Sequence, residues 1–287
     1  MPHIKPFFHP DTSTFCYVVH DPKTLDAVVI DPVLDYYEAS ATLSHDFLDQ
    51  ILEHVRAHQL VVQLIIDTHC HADHFSGTHA LKKLLKVKSA IGHGFKVVRD
   101  HFASVYDMTH ELNRYEEPYD ILVNHQQIFH AGALSIKAFC VAGHTPSCMA
   151  YLIDDALFCG DALFMPELGC GRCDFPGGSA GDLYDAITKN IYTLPNDTKI
   201  LVGHDYPATG TKPRYETSVR ESKNSNILMN INTLKKDFVT AREKKDKTLQ
   251  YPKLLLAAMQ VNILGGQLPL PAPNHQRYLK IPLSLRE

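Results

Sequence analysis

The sequence predicts an α/β fold in which two β-sheets pack face to face and helices cover the outside. Strands joined by tight turns are mixed with strand–helix–strand segments, and two sheets with outer helices accommodate both kinds of connection. The 287 residues are 45% hydrophobic and 21% charged, which is ordinary for a globular protein with a sizeable core.

The first part of the chain alternates strands with helices. Short runs rich in β-branched and aromatic residues predict strands, and longer runs with apolar residues at helical spacing predict helices. These elements are strands over 14–19, 26–31 and 61–66, helices over 44–59 and 75–85, and then a weak strand over 89–91 and a short helix over 97–102.

The next part is rich in strands. Asp154-Asp155 lies between two of them and is a candidate hairpin turn. A helix over 180–192 begins near Ser179, a residue type that favours the N-cap position. The predicted strands cover 121–123, 134–139, 148–153, 156–159 and 199–203.

The character of the chain changes near residue 210. Residues 1–210 are predicted to form the catalytic domain, and residues 211–287 a helical and irregular C-terminal extension packed on it. Residues 215–248 have helical periodicity, and their charged run 242–247 predicts a solvated helix end. Residues 263–287, rich in Pro and Gly, predict an ordered tail on the main body.

Charge and cysteine content exclude several classes of protein. The net charge of -4 and the pI of about 6.5 give no sign of a nucleic-acid or anionic-membrane partner. The N-terminus lacks the pattern of a secretory or transit peptide, and no apolar run approaches the roughly 18 residues of a membrane span. Seven scattered Cys residues argue against a disulfide framework and indicate a cytoplasmic location.

A turn with four possible metal ligands follows the strand over 61–66. It reads Thr68-His69-Cys70-His71-Ala72-Asp73-His74, so three imidazoles and a carboxylate fall within six positions. His69 and His71 alternate and would point the same way in extended backbone. Imidazole suits zinc, iron, copper and nickel, and a carboxylate adds charge and an oxygen ligand. The turn therefore predicts a site for one or two metal ions.

Three later turns carry the ligands that would complete this site. Each follows an apolar run, as a ligand at the end of a strand should. An Asp at the end of a buried strand is costly unless it is paired or bound to metal. The turns are Gly143-His144-Thr145-Pro146, Gly160-Asp161-Ala162 and Gly203-His204-Asp205-Tyr206.

In this order the four turns resemble the pattern of the metallo-β-lactamase superfamily. The resemblance covers residues 12–210 approximately and implies an αββα sandwich with the metal at one edge. It is specific for the fold and much less so for the reaction, because one fold hosts many activities.

A narrower resemblance is to persulfide dioxygenases related to the ethylmalonic-encephalopathy protein. It rests on the histidine-rich turn together with Gly169-Cys170-Gly171-Arg172-Cys173-Asp174-Phe175. Residues 164–178 and 260–282 resemble still more the bacterial β-lactamase-like hydrolase subgroup of these enzymes. Two departures concern the substrate pocket, because Cys173 stands where the human-type enzymes carry Thr, and Pro-Gly-Gly follows Phe175.

This resemblance implies a non-haem Fe(II) enzyme with one iron per chain. The ligands would be His69, His144 and Asp161, a set of two His and one carboxylate that leaves positions open for substrate and oxygen. The remaining candidates would lie beside the iron and orient its ligands, or hold a second metal; they are His71, Asp73, His74 and His204.

The implied reaction oxidises glutathione persulfide, or another small thiol persulfide, with O2 and water to sulfite and glutathione in sulfide detoxification. Arg172 would grip a glutathione carboxylate, because its fork suits bidentate pairing, or form a structural salt bridge instead. Tyr206 would donate a hydrogen bond to the bound sulfur, or only pack. A rhodanese would act as a separate chain, and a homodimer is expected by analogy with the family.

The main alternative is a dinuclear zinc hydrolase of the glyoxalase II type, acting on a glutathione thioester. All seven possible ligands are present, and two metals about 3.5–4 Å apart would activate a bridging water. The His-Cys-His motif and the stretch Cys170-Gly171-Arg172 favour the dioxygenase. β-Lactam hydrolysis has only superfamily-level features in its favour.

Overall fold

The apolar runs of the sequence form strands that pair into two large sheets. A computed structural model describes residues 1–283 of the chain. In these residues the strands are β1 (His3–His9), β2 (Thr14–His20), β3 (Asp26–Ile30), β4 (Val33–Tyr37), β5 (Thr42–Ser44), β6 (Val61–Ile66), β7 (Phe75–Ser76), β8 (Lys88–Gly92), β9 (Ile121–Val123), β10 (Ile128–Ala131), β11 (Leu134–Cys140), β12 (Met149–Ile153), β13 (Ala156–Phe158), β14 (Lys199–Leu201) and β15 (Glu216–Ser218).

Helices alternate with these strands and cover the sheets. The α-helices are α1 (Asp46–Ala57), α2 (Thr78–Leu85), α3 (Phe95–Val105), α4 (Ala180–Ala186), α5 (Val219–Ser225), α6 (Lys235–Asp246) and α7 (Leu255–Asn262). A π-helical segment, Ile187–Ile191, continues α4. Ser179 caps the start of α4, because its side chain accepts a hydrogen bond from the Asp182 amide. Short 3₁₀ turns occupy Leu112–Arg114 and Gly160–Ala162.

The first sheet has the order β1-β2-β3-β6-β8-β9. Strands β1, β2 and β3 pair antiparallel, whereas β3, β6, β8 and β9 run parallel, because helices return the chain between them. Helix α1 packs its whole predicted apolar stripe against the outer face of this sheet; the stripe is Phe47, Leu48, Ile51, Leu52 and Val55.

The second sheet has the order β10-β11-β12-β13-β14-β15. Strands β12 and β13 form the predicted hairpin around Asp154-Asp155, with Ile153 opposite Ala156. A small third sheet joins β5, β4 and β7. Side chains from the facing surfaces of the two large sheets share one buried cluster, which includes Tyr17, Val28 and Leu64 from the first and Ile136, Ala150 and Leu157 from the second. The predicted α/β architecture of two sheets with outer helices is confirmed.

Some sequence predictions were incomplete or wrong. Strands β1, β4, β5, β7, β10 and β15 were not predicted. The helical periodicity predicted over residues 215–248 corresponds to two helices, α5 and α6, preceded by β15; Ile227, Ile231 and Leu234 of the predicted apolar positions are exposed between the helices. The charged run 242–247 is not fully solvated, because Arg242 and Asp246 are buried.

The division near residue 210 stays a prediction. Strand β15 lies beyond it and pairs with β14 as the edge of the second sheet. The tail beyond α7 has buried residues at its start, Ile263 and Leu264, and the last four residues of the predicted extension, 284–287, lie outside the described part.

Among the described residues, none of the helices combines the length and apolar character that crossing a bilayer requires. All seven cysteines are free thiols.

Tyr17 links the two large sheets by a buried hydrogen bond. Its hydroxyl on β2 donates to the carbonyl of Val202, which follows β14, at 2.6 Å. We expect Tyr17→Phe to lower the free energy of unfolding of the metal-free protein by about 1–2 kcal/mol, because a buried carbonyl loses its donor. Denaturant titration measures this effect. Tyr37→Phe is the control, since Tyr37 is 45% exposed; equal losses in both variants would contradict the prediction.

Candidate metal centre

The four turns predicted to carry metal ligands meet at one edge of the sandwich. They follow β6, β11, β13 and β14, and the last three of these strands point the same way in the second sheet. The ring centroids of His69 and His71 are 4.1 Å apart, and those of His69 and His144 are 5.0 Å apart. Topology therefore brings distant parts of the sequence into one cluster of ligands.

Asp161 lies between the two sides of this cluster. Its Oδ2 is 3.5 Å from His144 Nε2, and its Oδ1 is 3.4 Å from His204 Nε2. Ligand atoms of His69, His144 and Asp161 all lie within 4.8 Å of one another, and those of His71, Asp73 and His74 form a second such group. The geometry offers a principal position with two His and one carboxylate, and a neighbouring position with two His and Asp73.

Several ligand atoms in the cluster are buried without a hydrogen-bond partner among the described residues. They are His69 Nε2, His71 Nδ1, His74 Nε2 and Asp161 Oδ1. A buried polar atom without a partner is costly, and a bound cation removes that cost. Imidazole nitrogens and a carboxylate oxygen are donors that divalent transition metals accept. The residues present therefore fit a metal cofactor.

In each ligand histidine, the hydrogen bond made by one ring nitrogen decides which nitrogen is left to face a metal. His144 Nδ1 donates to the carbonyl of Arg172 at 2.6 Å, and His204 Nδ1 donates to the carbonyl of Ser13 at 3.1 Å. Because a carbonyl only accepts, the Nε2 atoms of both rings keep lone pairs for a metal. These hydrogen bonds fix the rings as well as their tautomers.

A carboxylate behind the site fixes the two histidines of the first turn. Asp31 accepts from His71 Nε2 at 2.9 Å and from the Thr68 hydroxyl at 2.8 Å. Since that hydroxyl donates to Asp31, it accepts from His69 Nδ1, which is 3.0 Å away. His71 thus presents Nδ1, and His69 presents Nε2, to the metal. Burial, with smaller contributions from neighbouring groups, holds the pKa of both imidazoles well below the usual value, which favours the neutral form that binds metal.

The C-terminal part of the chain holds the same turn from the other side. The buried side chain of Asn262, in α7, donates to the carbonyls of His71 at 2.8 Å and His74 at 2.7 Å. Its Oδ1 accepts from the Ser76 amide at 2.9 Å. Every polar atom of this side chain therefore fixes the backbone around the predicted ligands.

Sequence reasoning missed Asp31 and Asn262. Asp31 ends a strand that is buried along most of its length, so the argument that singled out Asp161 applies to it equally. Nothing in the local sequence around Asn262 signals its role, because its partners lie almost two hundred residues earlier.

A cleft of about 660 Å³ opens onto the ligands. Its floor includes His144, Asp161, Asp73 and His204, whereas His69, His71 and His74 lie buried behind. Its walls combine apolar and charged side chains from both parts of the chain; they include Phe164, Phe175, Arg172, Tyr206, Lys245, Tyr251 and Lys253. The cleft is of the size of a small-molecule site.

The two residues predicted to bind substrate both line this cleft. The guanidinium of Arg172 makes a bidentate ion pair with Asp174, at 2.6 and 2.7 Å, and also donates to the carbonyl of Gln250 at 2.7 Å. Tyr206 is 58% exposed, and its ring stacks on His204 with a centroid distance of 6.1 Å. Their roles toward substrate stay predictions, and the geometry shows that Arg172 already has a partner in the protein.

Comparison with known proteins now adds to this geometry. The sequence profile of the metallo-beta-lactamase superfamily matches residues 9–204, which contain all seven predicted ligands. The chain belongs to the metallo-β-lactamase superfamily. The resemblance stated from the four turns is confirmed, and the αββα sandwich is the fold of this superfamily.

Individual relatives in the superfamily carry different names. The chain is 41% identical to a beta-lactamase hydrolase-like protein of Xylella fastidiosa over 286 residues, all of this chain but 66% of that protein, so it spans less than two thirds of its length. It is 36% identical to glyoxylase B2 of Dictyostelium discoideum, covering 96% of this chain and 94% of the other. It is 26% identical to the human mitochondrial persulfide dioxygenase ETHE1, covering 99% and 87%.

Among solved structures, the crystal structure of ETHE1 from Myxococcus xanthus is similar over almost the whole fold. The TM-score is 0.74 at 29% sequence identity, covering 92% of this chain and 100% of that one. The relationship therefore extends beyond the superfamily domain into the C-terminal part of the chain.

Asp31 offers a test of the hydrogen bonds behind the metal. We expect Asp31→Asn to weaken metal affinity by roughly 10- to 100-fold, because an amide cannot accept all three hydrogen bonds that Thr68 and His71 donate to the carboxylate. Anaerobic titration of Fe(II) against a coloured chelator measures the affinity.

A second carboxylate in the same sheet supplies the matched control. Asp120 accepts from the amide and hydroxyl of Ser89 and pairs with Lys82, but contacts no predicted ligand. Asp120→Asn should leave the affinity within twofold of the wild type, by analogy with surface changes away from a site. Unchanged affinity in Asp31→Asn would refute the role of Asp31.

Proposed function

We propose that this protein is an iron-dependent persulfide dioxygenase that converts glutathione persulfide, O2 and water to sulfite and glutathione. The observation that carries the proposal is the buried group His69, His144 and Asp161, of which His144 and Asp161 form part of the floor of an open cleft. Two His and one carboxylate are typical of non-haem Fe(II) oxygenases. Similarity to proteins named persulfide dioxygenase over nearly the whole chain supports the same activity.

The residues around the cleft suit this reaction. When bound, Fe(II) would supply the oxygen chemistry and a binding position for the terminal sulfur of the persulfide. His144 and Asp161 line the cleft, so substrate and oxygen could reach a metal held by them from the cleft, whereas His69 is buried behind them. Phe164 and Phe175 line the cleft and give it an apolar surface beside these two ligands.

The rim of the cleft offers charges for the carboxylates of a thiol such as glutathione. Arg172, Lys245 and Lys253 line it, and each carries a positive charge at neutral pH. Arg172 lies nearest to the ligands in sequence and is linked to His144 through its own carbonyl. Its ion pair with Asp174 would have to open, or be shared, when a substrate carboxylate binds.

A dinuclear hydrolase of the glyoxalase II type is the second candidate. The specific observation in its favour is the second group of ligands, where His71 Nδ1 and His74 Nε2 are also buried without partners. The similarity to glyoxylase B2 points the same way. Two metals there would activate a water for attack on a glutathione thioester.

Comparing Asp161→Ala with Asp73→Ala tests the metal count. We expect Asp161→Ala to lose both iron and activity, because Asp161 belongs to the principal position. Asp73→Ala should keep at least half of the iron, because Asp73 would lie beside that position and not in it. Metal content after anaerobic purification, with oxygen uptake and sulfite release on glutathione persulfide, gives the result. Equal metal loss, bound zinc and thioester cleavage would favour the hydrolase.

Kinetics of Arg172→Ala test its role in substrate binding. We expect KM to rise more than kcat falls, because a carboxylate contact made equally in ground state and transition state changes KM alone. Asp174→Ala is the matched control, since it removes the ion pair but keeps the guanidinium. If Arg172 served only to anchor its loop, Asp174→Ala would raise KM to the same extent.

A further inference from the structure

One short loop touches two of the three ligands of the principal metal position. In the loop Gly169–Cys173, the carbonyl of Arg172 accepts from His144 Nδ1 at 2.6 Å. The amide of Gly171 donates to the carbonyl of Asp161 at 2.9 Å. A Cβ on Gly171 would come within 2.4 Å of that carbonyl, so the loop must approach closely. A shift of this loop would turn the His144 ring and move the backbone of Asp161.

A buried ion pair of the C-terminal extension holds the loop in place. Arg242 Nη1 donates to the carbonyl of Cys170 at 3.0 Å, and its Nη2 pairs with Asp246 Oδ1 at 2.5 Å. The other carboxylate oxygen, Asp246 Oδ2, accepts from the Cys173 amide at 2.9 Å. Arg242 and Asp246, one turn apart on α6, thus grip the loop on both sides of Arg172.

Stability alone does not explain this ion pair. Arg242 is 1% and Asp246 4% exposed, and burying two charges is expensive. Apolar residues of similar volume are often as stabilising as a buried ion pair, or more so. What apolar residues cannot supply is a donor for the Cys170 carbonyl and an acceptor for the Cys173 amide, so the pair has a directional role that packing cannot replace.

We propose that Arg242 and Asp246 are positioning residues for the metal centre. They fix the loop Gly169–Cys173, whose Arg172 carbonyl sets the tautomer and the ring orientation of His144, and whose Gly171 amide anchors Asp161. The C-terminal extension thereby takes part in metal binding without supplying a ligand. The inference rests on the metal site of the proposed function but not on its reaction, because His144 and Asp161 are ligands in the mononuclear and dinuclear alternatives alike.

The test separates positioning from stability by removing both charges together. In the double variant Arg242→Met/Asp246→Leu neither charge is left unpaired, although the Cys170 carbonyl and the Cys173 amide lose their partners, so the metal-free protein should stay folded with a moderately lower denaturation midpoint. We expect Co²⁺ affinity nonetheless to fall by roughly 10- to 100-fold, and the visible absorption bands of bound Co²⁺ to change, because the hydrogen bonds behind the ligands are lost. A folded double variant with unchanged affinity and unchanged bands would overturn the proposal.

A control and a milder variant complete the design. Lys235→Met removes the ion pair of α6 with Asp185, which touches neither the loop nor the ligands, and should leave Co²⁺ binding unchanged. Arg242→Lys keeps the charge but loses the fork that reaches Cys170 and Asp246 together, so it remains informative should the double variant not fold. Co²⁺ binding weaker than in Lys235→Met supports the proposal, and equal binding refutes it. Because Co²⁺ binding needs neither persulfide nor O2, a failure of the proposed reaction would show separately in oxygen uptake.

Discussion

The site is organised by one constraint: several metal-ligand atoms converge in a buried space where they cannot satisfy one another. His69 Nε2 and Asp161 Oδ1 lack hydrogen-bond partners among the described residues, while the other ring nitrogen of His69, Nδ1, bonds to the Thr68 hydroxyl. Such an arrangement is unfavourable without a cation and strongly favourable with one. The fold thus holds lone pairs of buried ligand atoms around a space that a metal ion can occupy. The hydrogen bonds on the far side of the ligands keep these atoms in position.

Those hydrogen bonds come from three directions, which explains how the ligands keep their geometry. Asp31 supports the first turn from within the sheet, and Asn262 supports it from α7. The loop Gly169–Cys173 supports His144 and Asp161, and is itself held by α6. The β-sandwich supplies the turns, but much of their rigidity comes from residues beyond 211. The C-terminal part therefore contacts the backbone that carries the ligands, through Asn262 and Arg242.

The extent to which sequence predicted this structure follows from the range of each interaction. Strand β6 and helix α1 were predicted correctly, because the period of their apolar residues is a local signal. Strand β1 was missed because it is partly exposed and carries Lys5 and Pro6 among its apolar residues. The charged run around Arg242 predicted exposure, but Arg242 is buried. Its burial depends on the carbonyl of Cys170, which only the tertiary fold brings near. The ligand turns were recognisable from residue type and order, whereas the residues that orient them were not.

The two groups of possible metal ligands can be compared by the contacts that each makes without a metal. In the neighbouring position, Asp73 Oδ2 lies 3.3 Å from His74 Nδ1 and 3.5 Å from His204 Nε2, and these contacts hold the pKa of Asp73 well below its usual value, against the opposing effect of desolvation. His204 Nε2 lies equally close to the other carboxylate, at 3.4 Å from Asp161 Oδ1, so this imidazole stands between the two groups. Both groups contain imidazole nitrogens without a hydrogen-bond partner in the described part of the chain, which are His69 Nε2 in the principal position and His71 Nδ1 and His74 Nε2 in the neighbouring one. Both therefore present donors to a cation. Under the proposed mononuclear function, a single ion bound by His69, His144 and Asp161 would leave Asp73 and His204 beside it as polar residues in the floor of the cleft.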